Sequence, residues 1–170
     1  MPTERRLAAI MFTDIVGYTA LMGESEERGL RARERHRELV RPLVERYHGE
    51  WIESPGDESL STFPTALDAV NCALAIDETL ADGREFKLHI GIHVGEFVVQ
   101  EGEISGDGVN IAARICALSA GDGPYASDEV QHAVQNQGNL SFEALGEHEF
   151  KNVPRPVAIY SVAGDRKSVV

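Results

Sequence analysis

The chain has 170 residues, 42% of them hydrophobic and 26% charged, which suits one globular domain with a real core. Its formal net charge of −12 argues against general nucleic-acid binding, which needs a basic surface to neutralise phosphate, although a few local groups can still manage the phosphates of a single nucleotide. No apolar run approaches the roughly 20 residues that cross a bilayer, and "MPTERR" leads straight into a strand pattern with no signal peptide, so no membrane partner and a cytoplasmic location are expected.

In chain order, "RRLAAIMFTDI" predicts a strand buried on both faces. "SEERGLRARERHRELVRPLVERYHG" predicts a long helix with an apolar stripe at Leu30, Leu39, Leu43 and Val44 that ends near Gly49; Pro42 inside it predicts a kink or a break. The helix carries seven arginines with five glutamates among or near them. This reads as a solvated face of Glu/Arg pairs, with a docking surface for an acidic partner as the other reading. "EWIES" and "ESLSTF" predict two short strands joined by a "PGD" turn. "TALDAVNCALAIDETLAD" predicts an amphipathic helix with Ala66, Ala69, Val70, Ala73, Leu74 and Leu80 on one face and Gly83 as a stop.

"FKLHIGIHVGEFVVQ", with glycines at 91 and 95, predicts a strand, a tight turn and a second strand. "GDGVNIAARICALSA" predicts a glycine-rich turn opening into a helix, "PYASDEV" a short strand entering a helix capped by Ser127, and "LSFEALGEHEFKN" with "VAIYSVAG" a closing pair of strands. Helices alternating with hairpins predict an α+β fold of ferredoxin-like type, a mostly antiparallel sheet with helices packed on one face. Cys72 and Cys116 lie in apolar helical patterns without a CxxC partner and read as core residues. His89 and His93 fall on one face of a strand but lack further ligands at metal spacing, so structural roles are expected.

Two aspartates stand out. Asp14 closes an apolar strand, where a charge is costly unless something stabilises it. Asp57 sits in the hairpin turn, where Gly-Asp is also an ordinary turn pair. If the first strand lies beside that hairpin, the two carboxylates converge at one end of the sheet and could hold a hard divalent ion together with substrate phosphates. Gly17 and Gly56, close by in sequence, would let the backbone approach an anion.

"FTDIVGYT", "GDESLSTF", "GIHVGE", "GDGVNIAARI" and "LGEHEFKNVPRPVAIYSV" occur in the order and spacing of the class III adenylate/guanylate cyclase catalytic domain, which the chain resembles from about residue 7 to 163. The resemblance implies a catalytic domain over residues 1–164 with a tail at 165–170. It also implies a homodimer with active sites at the subunit interface and ATP or GTP as substrate. Two metal ions per site, magnesium or manganese, would be held by Asp14, Asp57 and the backbone carbonyl of Ile15. From the other subunit, Asn110 would orient the ribose and Arg114 would stabilise phosphate charge. Lys151 matches a lysine that contacts the triphosphate. Asn110 and Arg114 are four apart and share a helix face.

The base-reading positions depart from the adenylate cyclase pattern. Glu53 stands where adenylate cyclases of the family carry a lysine and guanylate cyclases a glutamate, and its carboxylate suits the two donors on guanine's edge, so it tilts the expectation toward GTP. Glu103 holds the second position. As a carboxylate it would accept from adenine's 6-amino group, and when protonated it would donate to guanine O6. Two carboxylates around one base also leave open a second class of function, a weak or silent cyclase-like module that binds nucleotide and dimerises for signalling.

Overall fold

The computed structural model describes residues 3–52, 57–83 and 85–164. In chain order the elements are β1 (Glu4–Ile15), α1 (Tyr18–Glu24), α2 (Glu26–Arg46), β2 (Glu50–Ile52), β3 (Ser59–Phe63), α3 (Ala66–Thr79), β4 (Leu88–Gln100), β5 (Glu103–Ser105), α4 (Asp107–Leu118), β6 (Tyr125–Ser127), α5 (Asp128–Val134), β7 (Leu140–His148) and β8 (Val157–Gly164). The strands form one open sheet in the order β2-β3-β1-β4-β6-β8-β7, with β5 folded back onto β4. Every pairing is antiparallel except that of β4 with β6.

β1 is central because both of its faces are apolar, and the fold covers both. Ala9, Met11 and Ile15 pack with Leu39, Val40 and Val44 of α2, Ala69, Val70, Ala73 and Ile76 of α3, and Val130 and Val134 of α5. Ile10 and Phe12 point the other way and pack with Leu60, Phe97, Ala112 and Cys116. Three helices therefore share one face of the α+β sheet, and α4 lies on the opposite face. Each large side chain buried this way contributes about 1.5–3 kcal/mol of transfer free energy.

Three local expectations change. β4 is one unbroken strand through Gly91 and Gly95. Those glycines admit the α4 backbone instead of making a turn: a Cβ on Gly91 would lie 2.2 Å from the Cys116 nitrogen, and one on Gly95 would lie 3.2 Å from the Gly108 Cα. The hairpin falls later, at Glu101 and Gly102, whose φ values of 53° and 81° suit a two-residue loop with both central residues left-handed. Helix α2 runs through Pro42 to Arg46 without a break. Leu30, placed on its apolar stripe, is 45% exposed, and His36, Leu39, Val40 and Val44 form the buried face instead.

The arginines of α2 behave as a solvated face. Arg31 pairs with Glu27 at 2.8 Å, Arg41 with Glu45 at 3.4 Å and Arg35 with Glu85 at 2.7 Å. Both cysteines are free and buried, and burial pushes each thiol up, Cys72 to about 12. Residues 165–170, expected as a tail, lie outside the described residues, and so do Pro55 and Gly56 of the "PGD" turn. Among the described residues, no helix is long and apolar enough to cross a membrane.

Candidate functional site

Asp14 and Asp57 meet at one end of the sheet. β1 pairs with β3 from Ala9↔Phe63 to Thr13↔Ser59, and the two strands part beyond that last pair. Asp14 lies one residue past the ladder on β1, and Asp57 two residues before it on the incoming chain. By strand alternation Asp14 shares the sheet face of Ile10 and Phe12, which is the α4 face. Its carboxyl is within hydrogen-bonding reach of Asp57.

The site concentrates negative charge. Burial, then the Asp57 hydrogen bond and charge, then the Glu58 charge raise the Asp14 carboxyl from its ordinary 3.8 to about 7, partly opposed by a hydrogen bond from the Ile15 main chain. Asp14 Oδ1 is buried and, among the described residues, has no hydrogen-bond partner. A buried carboxylate oxygen without a donor, beside a second carboxylate, is a poor arrangement for a protein alone and a good one for a divalent cation. Asp14, Asp57 and the Ile15 carbonyl are all hard oxygen donors, the type that magnesium and manganese take. These residues therefore fit the metal expected from sequence.

Beneath the aspartates lies a buried polar network that sequence reasoning missed. Thr13 Oγ1 is 2.7 Å from His36 Nε2 and also hydrogen-bonds Ser59 Oγ. The main chain of Asp57 hydrogen-bonds the His36 ring, and burial pushes that imidazole down to about 4. A signal was present: His36 stands three and four residues before Leu39 and Val40 and seven and eight before Leu43 and Val44, on the apolar face of α2. The surrounding arginines hid it.

The other candidate residues lie elsewhere on the chain. Asn110 and Arg114 sit on the exposed face of α4, while Ala112, Ile115 and Cys116 face inward. Glu103 is exposed at the start of β5, and Lys151 is exposed in the turn between β7 and β8. Among the described residues, the side chains of Asn110, Arg114 and Lys151 make no hydrogen bond or ion pair. Glu53 lies outside the described residues. The end of α4 nevertheless approaches the acidic pair, because the charges of Asp14, Glu58 and Asp57 all act on the Cys116 thiol.

His89 and His93 hold the fold together. His89 Nδ1 donates to the Ser119 carbonyl at 2.5 Å, and His93 Nδ1 is 2.8 Å from Ser127 Oγ. The large groove of about 730 Å³ beside α2 is lined by Leu21, Arg28, Arg31, Arg35 and Phe86 among others, and by none of the candidate residues.

Residues 3–164 match the family profile described as the adenylate and guanylate cyclase catalytic domain. A Rhizobium meliloti protein named as an adenylate cyclase is 37% identical over 166 residues, covering 92% of this chain and 28% of its own length. The adenylate cyclase of Streptomyces coelicolor is 32% identical over 121 residues, covering 70% of this chain and 32% of its own. The chain thus spans about a third or less of these curated relatives. Among solved structures, an adenylate/guanylate cyclase/hydrolase from Silicibacter pomeroyi superposes with a TM-score of 0.86 at 34% identity, covering 94% of this chain and 97% of that one. The adenylyl cyclase CyaB from P. aeruginosa reaches 0.86 at 22% identity over 98% of each chain, a likeness of fold.

Proposed function

The chain belongs to the adenylate and guanylate cyclase catalytic domain family, and from that premise we propose that it converts a nucleoside triphosphate to a 3′,5′-cyclic nucleotide and pyrophosphate. The observation that carries the reading is the convergence of Asp14 and Asp57, with Asp14 Oδ1 buried and without a partner among the described residues. Asp14, Asp57 and the Ile15 carbonyl would hold two magnesium or manganese ions, which supply charge to the triphosphate and acidify the ribose 3′-hydroxyl.

In the proposed reaction the 3′-oxygen bonds to the α-phosphorus while the bond from that phosphorus to the oxygen bridging the β-phosphate breaks. The electron pair leaves with pyrophosphate, and the hydroxyl proton passes to solvent. Arg114 would grip phosphate oxygens through its planar fork as charge builds on them. Lys151 would add a compact positive charge to the triphosphate. Asn110 would fix the ribose so that the 3′-oxygen faces the phosphorus. Glu53 and Glu103 would read the base edge, and the Glu53 carboxylate suits guanine, so the preferred substrate in this reading is GTP.

The reading includes a homodimer. Asn110 and Arg114 project outward from α4 without partners among the described residues, as expected of groups that complete a site on a second copy. It also places the chain in the cytoplasm, where its triphosphate substrates are held. The deciding experiment incubates the purified chain with manganese and either ATP or GTP and separates the products. Cyclic nucleotide with equimolar pyrophosphate supports the reading. Nucleotide binding without product from either substrate identifies a silent dimerising module instead.

A further inference from the structure

We propose that His36 is the positioning residue of the acidic pair: it ties the strand carrying Asp14 to the segment carrying Asp57 and so sets the separation of the two carboxylates. This role rests on the metal reading above and deepens it.

The network joins three elements at one point. Thr13 and Ser59 are 0% exposed and His36 is 1% exposed. Thr13 and Ser59 are also the last paired residues of the β1–β3 ladder. Past them no further ladder pairing fixes the spacing of the two chains, although that is where the carboxylates stand. Like charges at close range push such chains apart. His36, reaching in from α2, spans the gap, with Nε2 on Thr13 Oγ1 and the ring also hydrogen-bonded to the Asp57 main chain.

The hydrogen-bond directions are self-consistent. The Asp57 carbonyl can only accept, so the ring's other nitrogen donates to it, and Nε2 then accepts from the Thr13 hydroxyl. Thr13 Oγ1 in turn accepts from the Ser59 hydroxyl. Each polar group of this His36–Thr13–Ser59 network has a partner, and the chain of bonds has one orientation. A leucine would fill the same space but leave the Thr13 hydroxyl without its acceptor and the Asp57 carbonyl without its donor, each at a cost to stability, so the thermal midpoint is read beside the metal affinity. Positioning the metal ligands is what the imidazole adds.

The test measures Mn²⁺ affinity by electron paramagnetic resonance on the whole chain without nucleotide, beside the thermal midpoint of each variant. Residues that orient metal ligands typically change affinity by about 10–100-fold when removed. His36→Leu should stay folded and lose Mn²⁺ affinity by about that factor. His36→Gln, whose amide can accept from Thr13 and donate to Asp57, should recover most of it. Should His36→Leu fail to fold, Thr13→Val cuts the same link with a side chain of the same shape and should weaken Mn²⁺ in the same way. Wild-type affinity in a folded His36→Leu or Thr13→Val overturns the proposal. So does a folded His36→Gln no better than His36→Leu. A wild-type chain that binds no Mn²⁺ overturns the metal reading itself, and the positioning role with it.

Discussion

Gly91 of β4 lies so close to Cys116 of α4 that a Cβ on the glycine would come within 2.2 Å of the Cys116 backbone nitrogen and 2.8 Å of the Ala112 carbonyl oxygen. Backbone meets backbone there, so neither side can yield by turning a rotamer. The helix bearing Asn110 and Arg114 is held against the sheet at this contact.

Gly91→Ala should therefore force α4 outward and destabilise the protein by about 1–3 kcal/mol, the usual cost of overpacking a tight interior. Gly138→Ala is the control, because nothing lies within 4 Å of its added methyl, and it should change stability by less than about 0.5 kcal/mol. Denaturant unfolding of the two variants checks this. Equal midpoints would mean that α4 is not pressed on β4 as described.

The crowded Asp14 carboxyl makes stability depend on pH with a defined sign. Its folded value of about 7 lies above the ordinary 3.8, so between those values the folded, metal-free chain holds a proton that the unfolded chain has released. That contribution is complete below about pH 4 and is lost as pH rises through 7. His36 and His93, both pushed down to about 4, act in the opposite direction between about pH 4 and 6.5. The difference between wild type and Asp14→Asn isolates the carboxyl. Without divalent ions, the wild-type Tm relative to Asp14→Asn should fall steadily from pH 4 to pH 8. Added Mn²⁺ should abolish or reverse the fall. A difference independent of pH would show that Asp14 is not crowded.

If the site is shared between two copies, metal ligands and Arg114 act from opposite chains. Asp14→Ala and Arg114→Ala should each be inactive alone. An equal mixture allowed to exchange subunits should regain roughly a quarter of wild-type activity, since half the dimers are mixed and each has one intact site of two. Cyclic nucleotide formation, measured with exchange followed independently, decides the point. No recovery despite proven exchange would place the whole site on one chain.

Glu53 should govern base choice. A site that pairs a polar edge rejects the wrong partner by leaving buried groups unsatisfied, at about 1–3 kcal/mol each. Wild type should prefer GTP over ATP by roughly tenfold or more, and Glu53→Lys should shift the kcat/KM ratio toward ATP, because the ammonium donates to adenine N1 while Glu103 accepts from the 6-amino group. An unmoved ratio would show that Glu53 does not read the base.

Much was legible from residue pattern because the physics involved is local. A continuous apolar run marked β1 and helical spacing marked α3; α4 and the closing strands β7 and β8 form in the segments expected for them, and an aspartate closing the apolar run marked Asp14. The cap expected of Ser127 does not form: its hydroxyl makes no capping bond to α5 and lies 2.8 Å from His93 Nδ1 instead, while Ser25 and Thr65, not singled out from the sequence, cap α2 and α3. What local pattern could not decide was which element lies against which. Gly91 and Gly95 read as a turn because glycine permits turns, but here they serve close approach to α4, which depends on a helix far along the chain. The turn went instead to Glu101 and Gly102. His36 looked solvated among arginines until α2 packed it over Thr13 and Ser59. Pro42 cost the helix less than its reputation implies: it lacks a backbone N–H, yet the flanking Leu39, Val40 and Val44 anchor both sides of it in the core. The sequence by itself determined most of the elements and put Asp14 and Asp57 forward as a candidate pair. Only the tertiary structure decided that β1 and β3 part just where those carboxylates stand, because register and layer order come from contacts between residues distant in the chain.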